Sequence, residues 1–557
     1  MRASWIAAAV AATAACGPAA RPAPAPAEPP TTAQPAPEEP PVSEPTPAPT
    51  TVTQTAQPQE LSFPDEAFRA AQPEAGPPRP FRLPHIQRFK LKHGTEVYLV
   101  EKHDLPIVSL DLVFEGGGAV DPTSKEGLAS VCMAMLTEGT QKLDKIAYSE
   151  ALADTASSID SYAGDDTQGL SLNTLSKHFD ATFALYVDTL RTPGFRPEDL
   201  DRMVKRRIEG LKQTKGTPAA VAPRVARPVL YGPKHPFGRV TTEASLAAIT
   251  LDDCKAHHAA ALKPGGARLF VVGDMTEARL RAYFDGPLLS GWTGRMPALT
   301  KVAKPATQKG RIFLVHIPGA AQSQVSLMHF GPKRGAADYF PTAMVSAVIG
   351  GGFSSRLNMN LREDKGYSYG AYGTFSYNRF QGVFTAGASV RTDATYQTVL
   401  EIAREVGTMA AGDAPATADE LTREKAGAIQ GLPSRFATGG AALGMFRSLA
   451  YFGLPLDYYD RYVASVEKVN AAQVAKAAKQ HLKPAQAVFV VVGDGDAPVI
   501  ARDGKEDKPL LKDGQPVTLR AALADLAASG KLGAGALVEL DADGKAVTAA
   551  AAAPAAK

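Results

Sequence analysis

Two stretches of the chain repeat one another. Leu262-Lys263-Pro264 runs into Leu269-Phe270-Val271-Val272-Gly273-Asp274, and Leu482-Lys483-Pro484 runs into Phe489-Val490-Val491-Val492-Gly493-Asp494. In both, the proline stands ten residues before the aspartate. A second pair agrees. Asp180-Ala181-Thr182 follows the run that begins GLSLNTL at Gly169, and Asp393-Ala394-Thr395 follows the run that begins GVFTAGA at Gly382. The offsets, 220 and 213, are nearly equal. Self-similarity at one spacing implies two homologous units in tandem.

Each unit reads in the same order. Val108–Phe114 and Val325–Phe330 alternate or run apolar as strands do. A helical stretch follows, Gly127–Leu136 in one unit and Pro341–Ile349 in the other. The glycine-led runs Gly169–Leu175 and Gly382–Val390 are further strands, and Ala181–Leu190 and Tyr396–Val406 have helical spacing. The strict βαβ rhythm is missing. The expected class is therefore α+β, with two homologous units, each a mainly antiparallel sheet with helices on one face. The expected boundaries are 80–296 for the first unit, 297–309 for a polar, proline-bearing linker and 310–495 for the second unit. Residues 496–557 form a C-terminal appendage and low-complexity tail in which Leu537–Leu540 is a candidate short strand.

The N-terminus reads as an address. Met1-Arg2, the apolar stretch Ile6–Ala15 and the small residues before Cys16 make residues 1–16 a secretory signal. Cys16 after Ala14-Ala15 resembles the lipidated cysteine of a bacterial lipobox, although Thr13 stands where leucine is usual. Gly17 suits sorting to the periplasmic face of an outer membrane. The alternative is a soluble exported protein. Residues 17–79, rich in proline and alanine, read as a disordered tether. No apolar run reaches the ~18–20 residues of a membrane-spanning helix. A net charge of +3, from 60 basic and 57 acidic side chains, excludes a nucleic-acid binder that works by bulk electrostatics.

Ten histidines make the metal search short. None lies four residues from another, and the adjacent His257 and His258 point to different helix faces. Three cysteines (Cys16, Cys132, Cys254) are too few for a disulfide framework or a Cys-rich zinc module, and Cys132 reads as a small core hydrophobe. The triplets Gly116–Gly118 and Gly350–Gly352 lack the Gly-Lys-Ser/Thr that grips phosphate and read as sharp turns or close backbone approaches. The densest candidate is the segment from Gly350 to Gly370, with Arg362 and, seven residues later, Tyr369. A guanidinium fork and a phenol suit the holding of a peptide carbonyl and of charge that builds on it. The competing reading is a structural Arg–carboxylate pair beside a glycine-rich bend.

The duplicated units, the Asp121-Pro122…Lys125-Glu126-Gly127-Leu128-Ala129 entry and the segment FSSRLNMNLREDKGYSYG together resemble the insulinase/pitrilysin peptidases over about Phe81 to Asp494. That family carries H-x-x-E-H on a helix of its first unit. Here the resemblance sets Ser130 and Ala134 at the two histidines and Met133 at the glutamate, so it implies no metal in this chain; Glu209 is a carboxylate near the third ligand position. The resemblance also implies that Arg362 and Tyr369, with Tyr367 as the rival tyrosine, support substrate and transition state at a zinc site held by a homologous, H-x-x-E-H-bearing partner. Substrates are then extended peptides added to a sheet edge. The expectation is a zinc-free, Arg/Tyr-bearing subunit of an exported heteromeric metalloendopeptidase that degrades unfolded peptides. Two alternatives stand beside it: a non-catalytic peptide-binding or assembly protein of the same fold, and an independently active peptidase with a nonstandard metal site.

Overall fold

The structure, a computed structural model, describes residues 83–297, 302–306, 310–533 and 535–547. The expected signal with Cys16, the tether 17–79, parts of the linker 297–309 and the end of the tail lie outside the described residues. Six strands of the first half, β1 (Gln87–Lys90), β2 (Glu96–Glu101), β3 (Ile107–Glu115), β4 (Ser158–Ala163), β5 (Thr167–Leu175) and β6 (Arg268–Gly273), form one sheet in the order β1-β2-β6-β3-β5-β4. The second half supplies β7 (Arg311–His316), β8 (Gln322–Gly331), β9 (Ser368–Tyr377), β10 (Gly382–Arg391) and β11 (Val488–Gly493). Two short hairpins follow, β12 (Ile500–Asp503) with β13 (Glu506–Pro509) and β14 (Leu511–Lys512) with β15 (Gln515–Pro516), and then β16 (Val538–Leu540). The second sheet runs β16-β7-β11-β8-β10-β9. The duplication is thus explicit: β2/β6 and β7/β11 are the parallel pairs at equivalent places, and the ladders from β6 to β4 and from β11 to β9 are antiparallel.

The repeated Val-Val-Gly-Asp has a steric cause. A Cβ on Gly273 would lie 2.0 Å from the Ile107 carbonyl oxygen, and one on Gly493 would lie 2.1 Å from Ser323 Oγ. The aspartate is used alike in both halves, since Asp274 pairs with His103 at 2.7 Å and Asp494 with His316 at 3.6 Å.

The segment set apart as an appendage belongs to the second unit. β16 adds to the edge of its sheet, parallel to β7, where β1 stands in the first sheet. Helix Leu519–Ala528 buries Leu519, Leu523 and Leu526 in the second core. Asp543 then pairs with Arg224 at 2.6 Å and Lys215 at 2.9 Å from the first half.

Each half packs its own helices on one face of its sheet, as the amphipathic patterns require. The other face is covered by a helix of the opposite half. Helix Gly439–Phe452 lays Leu443, Phe446 and Leu449 on Tyr98, Val113 and Phe270 of the first sheet. Helix Pro218–Tyr231 lays Val221, Val225 and Val229 on Phe313, Val315 and Val490 of the second. Charged groups pin the exchange. Arg379 donates to both oxygens of Glu115 (2.9 and 2.7 Å) and to Asp166 (3.1 Å), which also accepts from Tyr451. Arg447 donates to Asp111 at 2.8 Å.

Cys132 is not a free core hydrophobe: it forms a disulfide with Cys254, 122 residues away. The bond ties helix Leu128–Met135 to helix Leu251–Ala261 inside a cluster of apolar side chains. Replacing both cysteines with serine is expected to lower unfolding free energy by about 2–4 kcal/mol more in oxidised than in reduced protein, where only the cost of the buried hydroxyls remains, measured by urea unfolding with and without reductant.

His329 gives a pH prediction. It is buried against Phe384, and its Nδ1 lies 2.9 Å from the Phe330 carbonyl, while its Nε2 accepts from Lys483 N at 3.2 Å. Burial and that arriving N–H favour the neutral ring, and the pKa is pushed down to about 4. The unfolded chain therefore takes up this proton first as pH falls. Stability from His329 is complete above pH 6.5 and is lost as pH drops from 6.5 through 4. His329→Gln is expected to be less stable at pH 7 and to show a shallower loss of stability than wild type over that window, read from denaturant midpoints.

Candidate functional site

Two loci carry the residues singled out above. The first lies on helix Leu128–Met135. Asp121 starts this helix by accepting from Gly127 N at 2.8 Å and Ala129 N at 2.9 Å. Gly127 has φ +100°, where a side chain would be strained, and its missing Cβ would also lie 2.9 Å from Thr241. Burial outweighs these two hydrogen bonds, and the Asp121 pKa is pushed up to about 6. The entry motif is thus the device that fixes where this helix begins.

On that helix Ser130 accepts two hydrogen bonds from Arg207, at Oγ (2.8 Å) and at its carbonyl (3.1 Å). Met133 is buried in the first core, and Ala134 packs beside Val131 and Cys132. Glu209 is exposed and bonds Lys212 at 2.9 Å. Two residues apart on a helix is ~200° of rotation, so Glu209 leaves the face on which Arg207 meets Ser130. Cys132 is spent in the disulfide. These residues do not fit zinc. They offer a hydroxyl, a thioether and a methyl group, and a guanidinium cation already touches the hydroxyl. Burial, with Arg206 next in line, lowers the Arg207 pKa.

The second locus is the glycine-rich segment. Helix Tyr339–Ser346 passes into a π-helical turn, Ala347–Gly351, and a second π-helical turn, Met359–Asp364, carries Arg362. Such turns often accompany functional sites. Gly350 bridges to Gly373, and a Cβ on Gly350 would lie 1.8 Å from Gly373 N. The close approach expected of this triplet is thus real. At the other triplet, Gly116 and Gly117 have φ +99° and +127° and form a sharp turn.

The two arginines of the segment divide the two readings between them. Arg356 makes the structural pair, donating to both oxygens of Glu420 at 2.7 Å and to the carbonyls of Ala414 and Pro415. Arg362 is half-exposed, stacks over Phe353 at 4.9 Å and, among the described residues, has one ion pair, with its neighbour Glu363 at 3.2 Å. The tyrosines divide likewise. Tyr367 is 2% exposed, and its hydroxyl donates to Asp507 at 2.6 Å. Burial, then Asp507, pushes its pKa up. Tyr369 is 89% exposed at the start of β9, an edge strand of the second sheet. Phe353, Met359 and Tyr372 of the same segment are also exposed, and Phe353 is the aromatic ring against Arg362.

One pattern in this segment was overlooked in the sequence. Gly366-Tyr367-Ser368-Tyr369-Gly370 has the spacing of a nucleophile elbow. Ser368 opens a strand instead of a strand-to-helix turn, and its hydroxyl donates to the Gly370 carbonyl at 2.6 Å. No histidine bonds it among the described residues. Arg207 was missed as well; its signal, a basic residue on the apolar face of helix Pro197–Thr214, lay inside the run Lys205-Arg206-Arg207.

Comparison with known proteins bears on the family and the fold. Residues 96–227 match the model for insulinase (peptidase family M16), and residues 248–428 match the model for the peptidase M16 inactive domain. The chain is 20% identical to the non-peptidase homolog YmxG of Helicobacter pylori over 71% of this chain and 90% of that protein. The crystal structure of a peptidase M16 inactive domain from Pseudomonas fluorescens superposes with a TM-score of 0.67 and 25% identity, over 74% of this chain and 98% of that one. The periplasmic protease PqqL of Escherichia coli shares the fold, with a TM-score of 0.63 and 15% identity over 76% of this chain and 46% of its own. With two family models covering more than half of its length in tandem, the chain belongs to the insulinase (M16) peptidase family.

Proposed function

We propose that the chain is a zinc-free subunit that lends Arg362 and Tyr369 to a homologous, zinc-bearing partner in an exported metalloendopeptidase acting on extended peptides. The observation that carries this reading is the division of labour within the glycine-rich segment. Arg356 and Tyr367 hold the structure, while Arg362, half-exposed beside its exposed neighbour Glu363, and Tyr369 reach solvent. The Arg362 fork donates to a substrate carbonyl, and the Tyr369 hydroxyl donates to the oxygen on which negative charge builds. The exposed side chains of Phe353, Met359 and Tyr372 suit the apolar residues of an unfolded peptide. The hydrolytic group is the partner's, because the Ser130 locus has no donor set for a divalent metal. The Cys132–Cys254 bond suits an oxidising compartment, which supports export to the periplasm. Within that reading, Cys16 carries the lipid that anchors the chain to the outer membrane.

A non-catalytic peptide-binding role is the second reading, favoured by the name of the Helicobacter relative. One experiment separates the two. The chain, a zinc-bearing family subunit from the same cell and their mixture are each assayed on a quenched peptide. The expected result is cleavage far faster in the mixture than in either part. Arg362→Ala is expected to lower kcat/KM by about 10²–10³ and Tyr369→Phe by a smaller factor. Tyr367→Phe is expected to leave kcat/KM near wild type and to lower stability by about 0.5–1.5 kcal/mol, because one hydrogen bond is lost while Asp507 keeps Arg391 and Arg502. A mixture indifferent to Arg362→Ala overturns the role, as does stoichiometric zinc with chelator-sensitive cleavage in the chain alone.

Anchoring is checked separately. Labelled fatty acid is expected in the wild-type chain and not in Cys16→Ala, and the variant is expected in the soluble fraction. Equal membrane association of the two removes the lipid assignment.

A further inference from the structure

Helix Pro197–Thr214 turns Arg207 toward helix Leu128–Met135, on the face it shares with Met203 and Leu211. The guanidinium is mostly shielded from water, yet its hydrogen bonds go to one residue: Nη1 to Ser130 Oγ at 2.8 Å and Nη2 to the Ser130 carbonyl at 3.1 Å. Five N–H donors belong to the group, so three are left over. The acids nearby are spent elsewhere: Glu138 and Asp199 pair with Arg202, and Glu209 with Lys212. Among the described residues no acidic side chain pairs with Lys205, Arg206 or Arg207. Three successive cations thus stand without a counter-charge, and the innermost has lost much of its water.

One turn along the helix from this cation the surface is open. Gly210 lies one turn along the same helix, and a Cβ there would meet no atom within 4 Å. Ala134 lies one turn from Ser130 and presents only a methyl group. Glycine weakens a helix interior relative to alanine, and no neighbour requires it at this position. Small residues thus stand one turn from Arg207 and one turn from Ser130, and the unused donors of the guanidinium match a carboxylate in the paired geometry that arginine favours.

We propose that Arg207, oriented by Ser130 and bordered by Gly210 and Ala134, is a subsite for a peptide carboxylate. This rests on the peptide-binding reading above. The subsite neutralises the local cations, and it holds either the C-terminus of a peptide or an acidic side chain within it.

The test uses the full chain and four fluorescent peptides of one sequence, in anisotropy titrations. The C-terminus is a free acid or an amide, and an internal position is Glu or Gln. In wild type, one of the two carboxylates is expected to tighten binding by about tenfold, and the pair that responds identifies the source. The difference is expected to vanish in Arg207→Gln and to shrink in Arg207→Lys, which keeps the charge but loses the fork. Gly210→Leu is expected to fill the open space and abolish the difference while the fold keeps or gains thermal stability; it decides the matter if Arg207→Gln does not fold. Equal binding of all four peptides to wild type overturns the subsite and leaves peptide binding intact. Discrimination that survives in Gly210→Leu or in folded Arg207→Gln also overturns it. Failure of all four peptides to bind removes both readings.

Discussion

A sheet buried on both faces needs two sets of partners, and a single half of this protein supplies only one. Its own helices cover one face. The second face is apolar too, with Tyr98, Val113 and Phe270 in the first sheet and Phe313, Val315 and Val490 in the second. Each half closes the other by lending a helix. Exposed alone, either face would be a large apolar patch of the kind soluble monomers avoid. The exchange makes the halves one folding unit and explains the charges between them. Arg379 and Arg447 add cations to Glu115 and Asp111, which Arg268 and Tyr162 of their own half also meet, and Arg379 with Tyr451 supplies the donors for buried Asp166. The C-terminal strap repeats the theme, since β16 completes the second sheet while Asp543 reaches back to Arg224 and Lys215.

On this frame the two halves use their chemistry differently. In the first, the surface of helix Leu128–Met135 is committed to structure: a disulfide, an N-terminal carboxylate cap and a serine held by an arginine. In the second, structural work is handed to Arg356, Asn360 and Tyr367. Asn360 bonds Glu401 and Glu405 at 2.9 and 2.8 Å, and this anchors the π-helical turn. Because those partners fix the backbone, Arg362 and Tyr369 are displayed from a rigid base without being used up in holding it. A display of that kind costs stability and returns none unless something binds.

Much of the fold was legible because its strongest signals are steric and local. The glycine of Val-Val-Gly-Asp is demanded by a carbonyl 2.0 Å from where a Cβ would sit, so it persists in both halves and betrays the duplication. The helix entry at Asp121 is readable for the same reason. What stayed hidden depends on distance along the chain. Cys132 sits in an apolar run and gives no local sign of Cys254, 122 residues away. β16 is three residues long, and its partner β7 lies far upstream, so the segment 496–557 reads as a detachable appendage. The exchange of helices is invisible to periodicity, which reports that a face is apolar and not which half will cover it. At the site, the resemblance favoured Arg362 and Tyr369, with Tyr367 as the rival tyrosine, and said nothing of which side chains hold the segment together. Only burial and hydrogen-bond partners show that.

The contrast between the loci also bears on how charge is balanced. A divalent cation bound by two imidazoles and a carboxylate leaves a site that is close to neutral once a hydroxide or carboxylate joins it. Here serine, alanine and methionine bring no negative charge, and the positive charge comes from a side chain that cannot dissociate. Arg207 cannot shed its proton in any ordinary pH range, even with its pKa lowered by burial and by Arg206. Its only means of neutralisation is an arriving anion, and the open flank at Gly210 admits one. Loss of the metal ligands therefore need not have silenced this surface. Under the subsite proposed above, a cation fixed to the fold stands where the family resemblance sets one shared with water, and the surface suits a carboxylate to be held instead of an oxygen to be activated.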